Sequence, residues 1–199
     1  MCVDVDVICI DNLVTGSVAN ISDLHRHANF EFRHHDVINP IQIDVDTVFN
    51  LACPASPTLY QREPIKTMKT NVQGSINLLD VTRETGACIL QTSTSEIYGN
   101  PLEHPQAESY WGNLNPIGPR ACYDEGKRCA ETLFFECRQQ YAVKAKVVGT
   151  SNTYGPRVSR DDGRVIPKFI RQALNDETIT ISRDGSQTRS SVLSISCRA

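Results

Sequence analysis

The chain has 199 residues, 40% of them hydrophobic, and a formal charge of −3; that is enough for one domain with a sizeable core and excludes a basic nucleic-acid surface. No apolar run approaches the length of a membrane span, and Met1-Cys2-Val3-Asp4-Val5-Asp6 lacks the basic start of a signal peptide.

In chain order, short apolar runs alternate with helical stretches. Residues 5–10 read as a strand and residues 47–52 as a second. Over residues 64–85 apolar side chains recur at helical spacing (Ile65, Met68, Val72, Ile76, Leu79), and Gly86 suits a C-cap. Residues 88–92 form a third strand. A helix follows over 123–141, with Ala130, Leu133, Phe134 and Cys137 facing inward. Residues 145–148 are a fourth strand, 166–174 a helix and 178–181 a short strand. Strands alternating with helices predict an α/β fold: a Rossmann-like, doubly wound parallel sheet covered on both faces. Residues 1–150 are expected to form the dinucleotide-binding part and 151–199 the start of a substrate-binding region. Residues 99–119, rich in Pro, Asn and Gly, follow a strand end, as a substrate loop would.

Eight cysteines at 2, 9, 53, 88, 122, 129, 137 and 197 form no Cys-x-x-Cys pair and no zinc spacing, so no metal site is expected. Several lie in apolar runs, which predicts buried, reduced thiols and a reducing compartment.

Tyr123 and Lys127 lie four apart at the start of the predicted helix, so both project from one face. A phenol normally ionises near pH 10. An ammonium one turn away favours the phenolate, so the pair reads as a general base aimed at a substrate hydroxyl. The spacing alone is common and equally suits a surface Tyr and Lys. Asp11 directly follows the first strand, where an acid accepts hydrogen bonds from ribose hydroxyls and repels a 2′-phosphate; NAD is therefore favoured over NADP. Asp36-Val37 lies within reach of an adenine. Either Asp taken alone also suits a turn or an N-cap. No glycine fingerprint precedes Asp11.

Together the segments resemble the extended short-chain dehydrogenase/reductase family, in its UDP-glucuronate decarboxylase branch. They are Val7-Ile-Cys-Ile-Asp-Asn-Leu-Val-Thr-Gly16, Asn50-Leu-Ala-Cys-Pro-Ala-Ser-Pro57, Lys66-Thr-Met-Lys-Thr-Asn71 and Thr92-Ser-Thr-Ser-Glu-Ile-Tyr-Gly99. Tyr110-Trp-Gly-Asn-Leu-Asn-Pro-Ile-Gly118, the 123–128 run, Asn152-Thr-Tyr-Gly-Pro-Arg157, Asp162-Gly-Arg-Val165 and Gln187-Thr-Arg189 continue the series in the same order.

The resemblance implies roles. Tyr123 and Lys127 match the catalytic pair, Thr94 the hydroxyl that holds the sugar O4, and Glu96 a carboxylate beside the sugar ring. Asp11, Asn12, Thr15, Gly16, Asp36, Val37, Leu51, Cys53, Thr70, Thr153 and Arg164 match NAD-contacting positions. Lys69, Asn152 and Arg189 match positions near the sugar acid or the diphosphate of UDP-glucuronate. Ser95 stands where the related 4,6-dehydratases carry an Asp that expels the C6 hydroxyl, which favours decarboxylation over dehydration.

The resemblance also implies a homodimer through a helix bundle that includes the Tyr123 helix. It leaves open a cytoplasmic location or a Golgi membrane anchor outside this sequence. A preceding strand, glycine turn and helix, about 30 residues, and most of a C-terminal domain beyond Arg189 are expected to be missing. Residues 148–151 also depart from the family pattern. The alternative readings are an incomplete, inactive member of the family, or another NAD-dependent sugar-nucleotide dehydratase or epimerase.

Overall fold

The computed structural model describes residues 5–159, 162–181, 184–185 and 191–193. Strand β1 (Val7–Asp11) pairs in parallel with β2 (Phe30–His34), Val7 opposite Phe30 and Asp11 opposite His34. Strands β3 (Thr47–Asn50), β4 (Cys88–Thr94) and β5 (Lys144–Thr150) form a parallel sheet in the order β3-β4-β5. A third parallel pair joins β6 (Asn152–Tyr154) to β7 (Ser191–Leu193). Helix α1 (Pro57–Tyr60) is a single turn. The longer helices are α2 (Pro64–Thr85), α3 (Ala121–Tyr141) and α4 (Val165–Leu174).

Parallel neighbours need crossover connections, and α2 and α3 supply them between β3, β4 and β5. Helix α2 ends at Gly86, whose φ of 74° is the left-handed cap geometry that glycine adopts without strain. Side chains alternate along β4, so Ile89, Gln91 and Ser93 are buried on one face. There Val48, Leu78, Leu79, Ile89, Phe134, Val143 and Ala145 form the core, under α2 and α3. In this core Asn50 donates to Gln91 Oε1 at 2.7 Å, so two buried amides satisfy each other.

The alternation of elements predicts one sheet covered on both faces. Among the described residues the strands instead fall into sets of two, three and two. On the face opposite the core Phe49 is 65% exposed. The β1–β2 pair is attached through α2 rather than through a β3 ladder. Asn77 Nδ2 donates to the Val37 and Asn39 carbonyls at 2.8 and 3.0 Å, and Lys66 pairs with Asp36 at 3.5 Å. Residues 178–181 are not a strand. Gln172 of α4 takes the place of a ladder partner, donating to Thr178 O at 3.0 Å and accepting from Thr180 N at 3.3 Å. Burial of the thiols is also incomplete: Cys88 and Cys129 are exposed, because they fall on the open face of β4 and the outer face of α3. No helix among the described residues is long and apolar enough to cross a membrane.

Helices α2 and α3 approach closely at Gly126, where a Cβ would stand 2.9 Å from Asn71 Nδ2 and 3.1 Å from its Cβ. Gly126→Val is expected to lower stability by about 1–3 kcal/mol through overpacking, read from urea unfolding midpoints. An unchanged midpoint would show free space between the two helices.

Candidate active site

Strand β4 ends at Thr94, and a single 3-10 turn, Ser95–Tyr98, begins there. Thr94 caps that turn: its hydroxyl accepts a hydrogen bond from Glu96 N at 3.2 Å. Helix α3 starts at Ala121 with Arg120 as its N-cap residue, and Tyr123 and Lys127 turn inward from its first two turns. Both are almost completely buried, at 6% and 4% exposure. Lys127 Nζ donates to the Thr92 carbonyl at 2.8 Å, and the Tyr123 phenol faces the Thr94 hydroxyl. The i, i+4 spacing therefore places a phenol and an ammonium side by side along the end of one strand.

Tyr60, at the end of α1, stacks on Tyr123 with ring centroids 4.9 Å apart and planes 7° from parallel. Its backbone carbonyl accepts from Thr67 Oγ1 at 3.1 Å, which ties α1 to α2 behind the phenol. Cys53 precedes this turn. Burial pushes its thiol up to about 11, against the pull of the Lys127 charge. Such a thiol is inert at neutral pH.

The electrostatics differ from the sequence expectation. Desolvation pushes the Tyr123 phenol up to about 12, and the facing Thr94 hydroxyl only partly opposes it. The Lys127 ammonium is disfavoured by the same burial and is directed at a carbonyl rather than at the phenol. The pair is thus a neutral phenol beside a desolvated ammonium, not the acidified phenol that the spacing predicts. Asp124, next along α3, is buried too. Desolvation pushes it up to about 6, while Arg120 pulls it down. Glu96 is ion-paired with Arg120.

A second cluster lies at the end of β1. Asp11 Oδ1 accepts from Leu13 N at 2.6 Å as the chain bends back. The turn brings Gly16 against this carboxylate, where a Cβ would stand 3.2 Å from Oδ2. Asn12 Nδ2 donates to Asp36 Oδ2 at 2.9 Å, joining the ends of the two strands. Burial pushes Asp36 up, but Asn12, the Ile38 N–H and Lys66 outweigh it and hold the carboxyl below its usual range. Val37 is buried against Gly74 of α2.

Other expected residues stand apart. Leu51 is 67% exposed beyond β3, and Thr15, Ser95 and Lys69 are also exposed. The Thr70 hydroxyl is spent within α2, donating to Lys66 O at 2.9 Å. Thr153 donates to Ser151 O at 3.2 Å, beside Asn152 on β6. Arg164 is held by Asp162, Nη2 to Oδ2 at 2.9 Å. The Ser56 hydroxyl donates to the Asp162 carbonyl, so this segment is docked on the turn that leads to Tyr60. Arg189 lies outside the described residues. The long segment 99–119 is fastened by Arg128, which donates to the Ile97 and Trp111 carbonyls at 3.0 and 2.8 Å. Tyr60, Arg120, Asp124 and Arg128 are the site residues that sequence reasoning missed. Three of them sit within five residues of Tyr123, and that proximity was the available signal.

The model of the NAD dependent epimerase/dehydratase family matches residues 3–193. UDP-glucuronic acid decarboxylase 5 of Arabidopsis thaliana is 54% identical over 185 residues, covering 93% of this chain and 54% of that protein. UDP-glucuronic acid decarboxylase 1 of Xenopus tropicalis is 50% identical over 184 residues, covering 92% of this chain and 44% of that protein. The chain thus spans about half the length of the curated relatives it matches. Among solved structures, UDP-N-acetylglucosamine 4-epimerase from Methanobrevibacter ruminantium M1, in complex with UDP-N-acetylmuramic acid, superposes with a TM-score of 0.82 at 29% identity, covering 94% of this chain and 61% of that one. A mutant UDP-glucuronic acid 4-epimerase from Bacillus cereus, in complex with a fluorinated UDP-glucuronic acid and NAD, gives 0.79 at 25% identity, covering 94% of this chain and 61% of that one. The chain belongs to the NAD dependent epimerase/dehydratase family.

The buried Asp124 sets a pH dependence of stability. An unfolded aspartate titrates near pH 3.9, and the folded one near 6. The folded protein holds this proton more tightly, so the contribution is most favourable below about pH 4 and is lost as pH rises through about 6. Asp124→Asn is expected to flatten that decline in urea unfolding measured across this range. An equally steep decline in the variant would assign the slope to other groups.

Proposed function

We propose that this member of the NAD dependent epimerase/dehydratase family carries the catalytic part of a UDP-glucuronate decarboxylase, which forms UDP-xylose through a 4-keto sugar. The observation that carries the reading is the buried Tyr123 phenol facing the Thr94 hydroxyl at the end of β4, with Glu96 on the next turn. The likeness to decarboxylases over 93% of the chain supports it.

NAD fits the residues at the end of β1. The Asp11 carboxylate is exposed where a ribose diol would lie, and Gly16 leaves room that a Cβ would fill. Asn12, Asp36 and Val37 would line the adenosine side, and Cys53, Tyr123 and Lys127 the nicotinamide side. When bound, NAD supplies the acceptor for the C4 hydride and returns it at the end of the cycle.

The chain's own residues handle the protons. Thr94 orients the C4 hydroxyl, and Tyr123 removes its proton as C4 becomes a carbonyl. The C6 carboxylate is then β to a ketone, and carbon dioxide leaves as its bonding electrons enter an enolate. Protonation at C5 and hydride return at C4 complete UDP-xylose. The ammonium of Lys127, already desolvated, stabilises the phenolate that forms in the first step. For the phenol to act near neutral pH, its proton affinity must fall from the ligand-free level, and nearby positive charge is what lowers it.

A dehydration of the 4,6 type would need an acid at the C6 oxygen, and Ser95 supplies none. The proposal includes a homodimer, for which Phe135, half exposed on the outer face of α3, offers apolar contact.

Two measurements test the reading. The purified full-length protein, given NAD and UDP-glucuronate, is expected to release carbon dioxide and form UDP-xylose. A C4 epimer or an unchanged sugar would contradict it. Tyr123→Phe is expected to lower kcat by about 10²–10⁴-fold while UDP-glucuronate binding, measured by calorimetry, stays close to wild type. Unchanged turnover would show that the phenol is not the base.

A further inference from the structure

Arg120 joins two carboxylates that come from different elements. Its guanidinium is ion-paired with Glu96 on the turn after β4, and its Nε lies 4.0 Å from Asp124 Oδ2 within α3. The Glu96 backbone is fixed independently, by its N–H donating to Thr94 at 3.2 Å. The Glu96 side chain is 20% exposed and that of Asp124 only 8%. Two partly buried carboxylates on one guanidinium depend on its charge to offset their desolvation. Arg120 supplies that charge, and its planar fork suits binding in a fixed orientation.

The position is also fixed from behind. Arg120 is the residue before α3, and its carbonyl accepts from Tyr123 N and Asp124 N at 3.0 and 3.1 Å. The phenol and the clamp on Glu96 therefore hang from the same helix start.

We propose that Arg120 is a positioning residue that holds the Glu96 carboxylate beside Thr94 and Tyr123, and that Asp124 anchors Arg120 in that role. The inference rests on the decarboxylase reading for the reaction it assists. It assigns Asp124 a function that a helix-capping acid would not have. An acid in the first turn favours the helix dipole whether or not Arg120 is present. An anchoring acid matters only through Arg120.

The experiment compares Arg120→Met, Arg120→Lys and Asp124→Asn with wild type in the full-length protein. It measures kcat and KM for UDP-glucuronate, NAD affinity by calorimetry, and the Glu96 side chain in crystal structures. Arg120→Met is expected to lower kcat by about 10–100-fold, the cost of a misplaced catalytic group, with KM and NAD affinity near wild type and Glu96 displaced. Arg120→Lys is expected to restore part of kcat, and Asp124→Asn to fall between wild type and Arg120→Met. Wild-type kcat in Arg120→Met, or a parallel loss of kcat, NAD affinity and thermal stability without rescue by lysine, would overturn the proposal. Should Arg120→Met fail to fold, Arg120→Lys and Asp124→Asn decide by the same kcat and KM split. Should the wild type release no carbon dioxide, the functional reading fails on its own. The crystal structures then judge the positioning role: Glu96 unmoved without Arg120 overturns it, and Glu96 displaced supports it.

Discussion

The hydrogen bond from Lys127 to the Thr92 carbonyl joins the start of α3 to the end of β4, and the proposed chemistry depends on that contact. It fixes how α3 sits against β4, and so where Tyr123 meets Thr94. Gly126 permits it, because a side chain there would strike Asn71 of α2. Tyr60 closes it from the other side by stacking on the phenol. A phenol, a hydroxyl and a carboxylate thus converge although they come from three elements. None of them is placed by a flexible loop.

Burial has an electrostatic consequence. The helix contact removes Tyr123 and Lys127 from water, which pushes the phenol up to about 12 and disfavours the ammonium. Burial leans both groups toward their neutral forms; a nearby cation would favour the phenolate, and a ligand oxygen accepting from Lys127 would favour the ammonium. In the proposed mechanism the site becomes basic when its ligands are bound. Asp124 and Arg120 show the same logic one turn away, where one guanidinium balances two acids.

Much of this architecture was legible in the chain. The helices over 64–85 and 121–141 show apolar residues at helical spacing, and Gly86 marks the first one's end. The strands at 7–11, 47–50, 88–94 and 144–150 were found within a few residues of their bounds. Strand β2 was missed although Phe30 and Phe32 alternate with Glu31 and Arg33; five residues beside polar neighbours give a weak signal. Strands β6 and β7 have three residues each, too few for any period. The run 178–181 looks β-prone, yet a glutamine side chain takes its backbone bonds. At the site, the Tyr123–Lys127 spacing and the acid after β1 were readable because local geometry decides them. Arg120, Tyr60 and the docking of Asp162 on Ser56 were not. Nearness to Tyr123 hinted at Arg120, but its pairing with Glu96, like the other two contacts, joins residues far apart in the chain, and no spacing rule reports it. The direction of the Tyr123 shift was missed for the same reason: desolvation is a property of packing, not of sequence.

The central claim is that this buried phenol becomes the base when the site is filled. Its ionisation is read directly by ultraviolet difference titration of the full-length protein against Tyr123→Phe, with and without NAD and UDP-glucuronate. The account predicts a phenol that titrates near 12 when the protein is free and moves toward neutrality when both ligands are bound. A phenol that still ionises above about 10 in the complex, while turnover proceeds at pH 7, would contradict it.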